Sequence, residues 1–396
     1  MKKRILALFL VLMLVFSVAL TGCSSNEEAP EGEEPAEGEE PAEEGSEGGE
    51  IVLGFIGPLT GDYSIYGETS REGVDLALEE INAAGGVLGK TLVLKPYDTK
   101  GDKTEAVNAY NRLRDNDGMV AFLGGTISGE TLAIKELAVA DGMPVLSPTA
   151  THLDITPNAP NVFRACFTDP YQGQTAAVFA AENLGAETAA IMYNTTDAYS
   201  EGLATSFEAK FGEFGEVTTV EGYTQADADF RTLLTKIADT NPDVLYLPDY
   251  YAKAGQILSQ VEELGLDMPV IGPDGYDGIE EDYADVAEGV YFTNHFAKTD
   301  DSEIVQNFIA NYEAKWDRSP TALAALGYDA AYIMAEAIEK AGSTDGEAIV
   351  TALADTEING VTGHIVFDEN GDPQKSISII QLVDGELILA DKVSVE

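Results

Sequence analysis

From residue 51 onward the chain repeats one pattern: a short apolar run, a polar loop, then an amphipathic stretch. "IVLGFIG" (51–57), "TLVLKPY" (91–97), "MVAFLGG" (119–125) and "MPVLSP" (143–148) read as strands. Helical stretches lie between them at 70–84, about 103–115 and about 130–140, and in the first Val74, Leu78 and Ile81 share a face. The rhythm resumes with "TAAIMYN" (188–194), "VTTVEGY" (217–223), "DVLYLPD" (243–249) and "MPVIGPD" (268–274). Helices are expected between these at about 200–211, 229–238 and 252–264. Strands alternating with helices of this length pair in parallel through βαβ crossovers. Two such runs exceed one ordinary sheet, so the expected fold is α/β with two doubly wound parallel-sheet lobes. Helices at about 302–316 and 321–341 follow, then a strand-rich tail with a turn at Glu369-Asn370-Gly371-Asp372.

This layout decides the meaning of "AGGVLGKT" (84–91), which ends like a phosphate-binding loop although Ala84 stands where that motif has glycine. A phosphate loop follows a strand and opens a helix, so that the anion meets a helix N-terminus. Here the helix comes before and the strand after. Gly85 and Gly86 are expected to end the helix and Lys90 to open the strand, with no nucleotide bound.

The first residues bear on the compartment. Lys2, Lys3 and Arg4 precede an apolar run, Ile5–Leu20, shorter than the roughly 20 residues that span a bilayer. The run closes with Leu20-Thr21-Gly22-Cys23, which resembles a bacterial lipoprotein box and implies cleavage before Cys23 and lipid on its thiol. Residues 24–50 hold twelve glutamates and no aromatic or β-branched side chain, the composition of an extended, disordered acidic tether. The expected setting is therefore extracytoplasmic, at a membrane.

Of the formal net charge of −48, the leader and tether account for part, leaving −39 on residues 51–396. That balance argues against nucleic acid and against adsorption to anionic lipid. Solubility accounts for it, and so does life in high salt, where self-repulsion is screened. Catalytic sets are hard to assemble. His152, His295 and His364 show no metal spacing, Cys166 in "FRACF" reads as buried, and "GTISG" misplaces Ser128 for a nucleophile elbow. The expectation is a protein that is not an enzyme and needs no metal or cofactor.

Small polar residues instead cluster after the strands, where open α/β sheets bind ligands: "TISG" (126–129), "SPTATH" (147–152), "PDYY" (248–251) and "PDGYDG" (273–278). Ser128, just ahead of a helix, can offer its hydroxyl and neighbouring N–H groups to a carboxylate, and plain capping explains it as well. Thr151 and Asp274 also read as turn formers, and Tyr250 and Tyr251 as core or interface residues.

At these residues the chain resembles the leucine/isoleucine/valine-binding protein family, the substrate-binding subunits of branched-chain amino-acid ABC importers. The markers are "IGPLTGDYSIYG" (56–67), "EEINAAGGVLGKTLVL" (79–94), "VLSPTAT" (145–151), "AYSEGLA" (198–204) and "VIGPDGYDG" (270–278), and the likeness covers 51–396. The resemblance implies a type I periplasmic-binding fold whose two lobes, joined by a three-segment hinge, close on an amino acid. Lobe 1 is then 51–168 plus about 296–375, and lobe 2 is 169–295 plus about 376–396. Ser128 and Thr151 match groups that bind the ligand carboxylate. The Thr149 carbonyl and Asp274 match groups that take its ammonium, and Tyr66, Tyr199 and Tyr250 match cleft aromatics. Asp277, in the same loop as Asp274, is expected to matter little. A disulfide of some family members would fall at about Gly101 and Ile127, and both halves are missing. Thr126 stands where an apolar residue is common, and Leu323 aligns only loosely, so the ligand is an amino acid, aliphatic by preference, whose identity stays open. The implied partners are that ligand, the permease of an ABC importer and the membrane through Cys23, with the domain a monomer. A sensor on the same fold, binding an amide or small aromatic acid, is the alternative.

Overall fold

The computed structural model describes residues 48–393. Cys23, the leader and nearly all of the acidic tether lie outside the described residues. Beyond them the chain builds β1 (Glu50–Gly57), α1 (Ser64–Ala83), β2 (Thr91–Asp98), α2 (Lys103–Arg112), β3 (Ala121–Leu123), α3 (Ser128–Asp141), β4 (Val145–Ser147) and β5 (Val162–Arg164). These five strands form one sheet in the order β2-β1-β3-β4-β5, every pair parallel.

The chain then crosses to a second lobe. Here α4 (Asp169–Val178), β6 (Thr188–Asn194), α5 (Ala198–Phe211), β7 (Glu216–Tyr223), α6 (Arg231–Asp239), β8 (Val244–Tyr246), α7 (Tyr251–Glu263), β9 (Val270–Gly272), α8 (Ile279–Tyr283) and β10 (Tyr291–Asn294) follow in turn. A second crossing leads to α9 (Glu303–Trp316), α10 (Ala322–Ala341), α11 (Gly346–Ala354) and a small hairpin, β11 (Glu357–Gly360) with β12 (Gly363–Val366). A third returns to the second lobe with β13 (Ile377–Val383) and β14 (Glu386–Val393).

The second sheet runs β14-β13-β10-β9-β8-β6-β7. It is parallel from β7 to β10, and the last two strands join antiparallel. The sheet is thus mixed rather than wholly parallel. The β13–β14 pair has a local reason: Asp384 and Gly385 both have positive φ (53° and 78°), as a two-residue hairpin whose turn twists with its strands requires. The 369–372 turn also forms, closed by Gly371 N–H on Asp368 O (3.1 Å), but it joins the isolated Phe367–Pro373 bridge rather than two strands.

In the first lobe α1 and α10 cover the sheet together. Val74, Leu78 and Ile81 meet Leu326, Ala330, Met334 and Ile338 in one core with Leu53 and Phe55 of β1. The helices touch backbone to backbone, because a Cβ on Gly73 would sit 1.9 Å from Ala324 O and one on Gly327 2.0 Å from Ser70 O. The "AGGVLGKT" segment is the turn from α1 into β2. Gly86 N–H closes on Ile81 O (3.0 Å), Gly85 and Gly86 take φ of 114° and 74°, and Val87 pairs with Lys90 ahead of Thr91.

The crossings are pinned to one another. Lys375 Nζ, on the third, donates to Ala165 O on the first (2.9 Å). Phe167 of the first stacks on His295 of the second, 3.6 Å between ring centres. Cys166, beside Phe167 in the chain, is buried with Sγ 3.3 Å from Ala150 O, and burial pushes its thiol pKa up, so it is inert packing.

Candidate functional site

The C-terminal ends of the strands of both sheets face each other across a small, tightly closed cavity. Ser128, Thr149, Thr151, Asp274, Tyr66, Tyr199 and Tyr250 all line it, and Thr126, Ile127, Gly275 and Leu323 complete the wall. A wider groove lies by Val270 and Tyr291, at the starts of β9 and β10, the opposite end of the strands; its lining holds four carboxylates, Glu262, Asp267, Asp285 and Glu288, and no cationic side chain.

The first-lobe wall is made of hydroxyls and main chain. Ser128 is the first residue of α3, and its hydroxyl accepts the His152 N–H (3.3 Å) rather than an N–H of its own helix. Ile127, at the cap position, supplies no side-chain cap, so the first-turn N–H groups of α3 are left for an anion. Thr149 commits its hydroxyl to Thr126 O (2.5 Å), which leaves its main-chain carbonyl to act. Thr151 keeps its hydroxyl buried beside the fully buried carboxyl of Asp169.

The second-lobe wall is charged and aromatic. Asp274 follows β9 and is 4% exposed. Its Oδ1 accepts Tyr199 OH (2.5 Å), its Oδ2 lies 2.8 Å from His295 Nε2, and its N–H donates to Gln172 Oε1 (2.6 Å). Tyr199 OH in turn accepts the Gly275 N–H (2.8 Å). Tyr250 stacks on Tyr199 and meets Tyr66 edge-on, both at 4.9 Å. Burial raises the phenol pKa of Tyr66, Tyr199 and Tyr250 well above the ordinary value, so all three stay neutral and offer ring faces.

Contacts across the lobes mark a closed state. Tyr66 of α1 donates its hydroxyl to Gly275 O (2.6 Å) and accepts Tyr251 N–H (3.0 Å). Asp277 is not the bystander its place in the loop suggests. It is buried, its Oδ1 accepts Asn294 Nδ2 (3.0 Å), and its Oδ2 accepts the Ala322 N–H at the start of α10 in the other lobe (2.6 Å). Capping a helix N-terminus suits a carboxylate, while burial raises the Asp277 pKa to about 7.

Sequence reasoning passed over Gln172 and gave His295 no role. Gln172 sits on α4, a helix of small residues with little periodicity, and His295 on a hinge crossing, so neither carries a local signal. Among the described residues no group of His, Cys, Asp and Glu could hold a metal ion, and no helix is long and apolar enough to cross a membrane.

Comparison with known proteins bears on this geometry. A periplasmic binding protein family model matches residues 50–386. The Leu/Ile/Val-binding protein BraC3 of Rhizobium johnstonii is 33% identical over 86% of this chain and 94% of its own length. The leucine-binding protein LivK of Thermotoga maritima is similar in structure, with TM-score 0.83 and 34% identity over 87% of this chain and 99% of that one. The branched-chain amino-acid transporter substrate-binding protein LivJ of Streptococcus pneumoniae, solved with isoleucine, gives TM-score 0.83 and 30% identity over 87% and 99%.

Proposed function

The chain belongs to the periplasmic binding protein family, and from that premise we propose that it captures a free branched-chain or other aliphatic L-amino acid between its lobes and delivers it to an ABC importer. The observation that carries this is the polarity of the cavity, with hydroxyls and an uncapped helix N-terminus on one wall and a buried carboxylate on the other. An amino acid is the small ligand with complementary ends. In this reading Ser128 and Thr151 bind the ligand carboxylate, and the Thr149 carbonyl and Asp274 take the ammonium. Tyr66, Tyr199 and Tyr250, with Leu323, enclose the side chain. Both charges lose water on entry, and only fixed groups of opposite sign offset that cost. A simple aromatic acid has no ammonium for Asp274 and would bury two like charges together, which speaks against the sensor of aromatic acids.

Lobe 1 comprises 51–168 with about 296–375, and lobe 2 comprises 169–295 with about 376–396. The protein works outside the cytoplasm as a monomer, held by lipid on Cys23 through the 24–50 tether, with no cofactor and no turnover. Replacing Cys23 by Ser should release it from membranes or leave its precursor uncleaved, as fractionation and mass spectrometry would report. The functional test is a thermal-shift screen of the twenty amino acids, small amides and aromatic acids. Leucine, isoleucine or valine should give the largest shift, about 2.7 kcal/mol of added stability at a hundred times Kd. A shift by an aromatic acid with none by any amino acid would overturn the proposal.

A further inference from the structure

Two adjacent residues at the end of β10 reach the loop that carries Asp274, and neither lines the cavity. Asn294 holds Asp277, the closure carboxylate (3.0 Å), and His295 meets Asp274 Oδ2 through Nε2 (2.8 Å). The imidazole is fully buried and lies 3.6 Å above the Phe167 ring at 18°, with Phe167 on another crossing of the hinge. A stacked, buried ring has little freedom to turn, so the aim of Nε2 is set by the hinge. Burial lowers the His295 pKa, so the ring is neutral at pH 7, and a neutral ring facing a carboxylate carries its proton on the facing nitrogen. The charged groups acting on it are Asp274, at hydrogen-bond distance, and Lys375 of the third crossing, whose charge lowers the pKa further.

A carboxylate has about four lone-pair sites. Tyr199 takes one on Oδ1 and His295 one on Oδ2, which fixes the plane of the group and leaves the other sites to a ligand. With Tyr199 alone, the carboxylate could turn about its last torsion. We propose that His295 is a positioning residue for ligand recognition: its Nε2–H, aimed by the stack on Phe167 in the hinge, holds the Asp274 carboxylate in the plane that receives the ligand's ammonium. The proposal rests on Asp274 being the ammonium partner. It places the aiming of that carboxylate and the hinge itself in one segment of chain.

The test uses two probes of like shape, L-leucine and 4-methylpentanoate, which keeps the carboxylate and lacks the ammonium. Calorimetry would measure both on the wild type, His295→Phe, His295→Gln and Asp274→Ala. His295→Phe keeps the stack and removes the donor. It should lose about tenfold to a hundredfold in leucine affinity, as for a hydrogen bond to a charged group, with 4-methylpentanoate nearly unchanged. His295→Gln, which restores an N–H near Nε2, should recover most of the leucine affinity. If His295→Phe proves unfolded, His295→Asn, whose shorter amide cannot reach Asp274, gives the same readout.

Leucine affinity in His295→Phe within about threefold of wild type, or an equal loss for both probes, would overturn the positioning role while a leucine-selective loss in Asp274→Ala left the functional reading standing. No leucine binding by the wild type, or leucine binding by Asp274→Ala at wild-type strength, would overturn the reading itself and the proposal with it.

Discussion

The two walls of the cavity are built by different physics. On the first lobe the polar groups are short hydroxyls and main-chain atoms at the ends of β3 and β4 and the start of α3, so the backbone alone places them. On the second, a carboxylate and the rings of Tyr199 and Tyr250 converge, held by side chains distant in sequence: Tyr199 on Asp274, Gln172 on the Asp274 N–H, and Tyr66 reaching across from the first lobe to Gly275 O. A wall of main chain tolerates the loss of one side chain because neighbouring N–H groups remain. A wall of networked side chains should fail at single positions.

That contrast breaks most sharply at Asp274. Removing one partner of a buried charge pair costs about 2–5 kcal/mol, a loss of roughly 30-fold to several thousandfold in affinity. Asp274→Ala should show a loss of that size by calorimetry while staying folded, and Asp274→Asn, which keeps one acceptor oxygen, should lose less.

Next in size is Asp277, which touches the other lobe but not the cavity. Losing its contact with the Ala322 N–H removes a charge-assisted hydrogen bond present only when the lobes close, worth about 1.5–3 kcal/mol at most. Asp277→Ala should weaken binding by about tenfold to a hundredfold, with X-ray scattering showing a more open ligand-free protein. Unchanged affinity and unchanged compactness would remove Asp277 from the closure contacts.

Much of the strand order in both lobes was readable from the chain alone. The long strands β1, β2, β6 and β7 fall within a residue of their expected runs because the pairing ladder extends over the whole run there. β3, β4, β8 and β9 pair over three residues each, so the apolar run overstates the strand. α1 begins at Ser64, ahead of the expected 70, because "SIYGET" has little apolar periodicity and is placed by tertiary packing instead. α4 left no signal, since its buried side is Gln172, Gly173, Thr175, Ala176 and Ala177. The antiparallel β13–β14 pair does carry one, the Asp384-Gly385 dipeptide, a hairpin signal of the same kind as the nearby 369–372 turn. The cavity residues were singled out by strand-end position and family likeness. What holds them, Gln172 and His295 against Asp274, joins residues 102 and 21 positions apart and has no local pattern.

A smaller effect concerns buried acids of the two lobes outside the cavity wall. Glu130 on α3 is pushed up to about 8, and Asp249 and Asp277 of the second lobe to about 7, chiefly by burial. Folded pKa values above the unfolded ones mean the native state holds more protons from about pH 4 upward, so this stability is present in acid and lost as pH rises through 7 and 8. Burial holds His152 and His295 below the ordinary imidazole pKa, which works the other way below about pH 6.5. The carboxylates move further, so the melting temperature should fall from pH 5 to pH 8. Glu130→Gln, neutral throughout, should flatten the part of that fall nearest pH 8. A profile that rises over this range, or one that Glu130→Gln leaves unchanged, would contradict the assignment.

The most direct test of the two-wall account is the ratio of affinities for L-leucine and 4-methylpentanoate in the wild type, Ser128→Ala and Asp274→Ala. Ser128 serves the carboxylate that both probes carry, so its loss should weaken both alike, by about tenfold or less, and leave the ratio unchanged. Asp274 serves the ammonium that only leucine carries, so its loss should collapse the ratio by about 30-fold or more. A ratio that survives Asp274→Ala, or one that Ser128→Ala changes as much, would contradict the assignment of opposite charges to opposite walls.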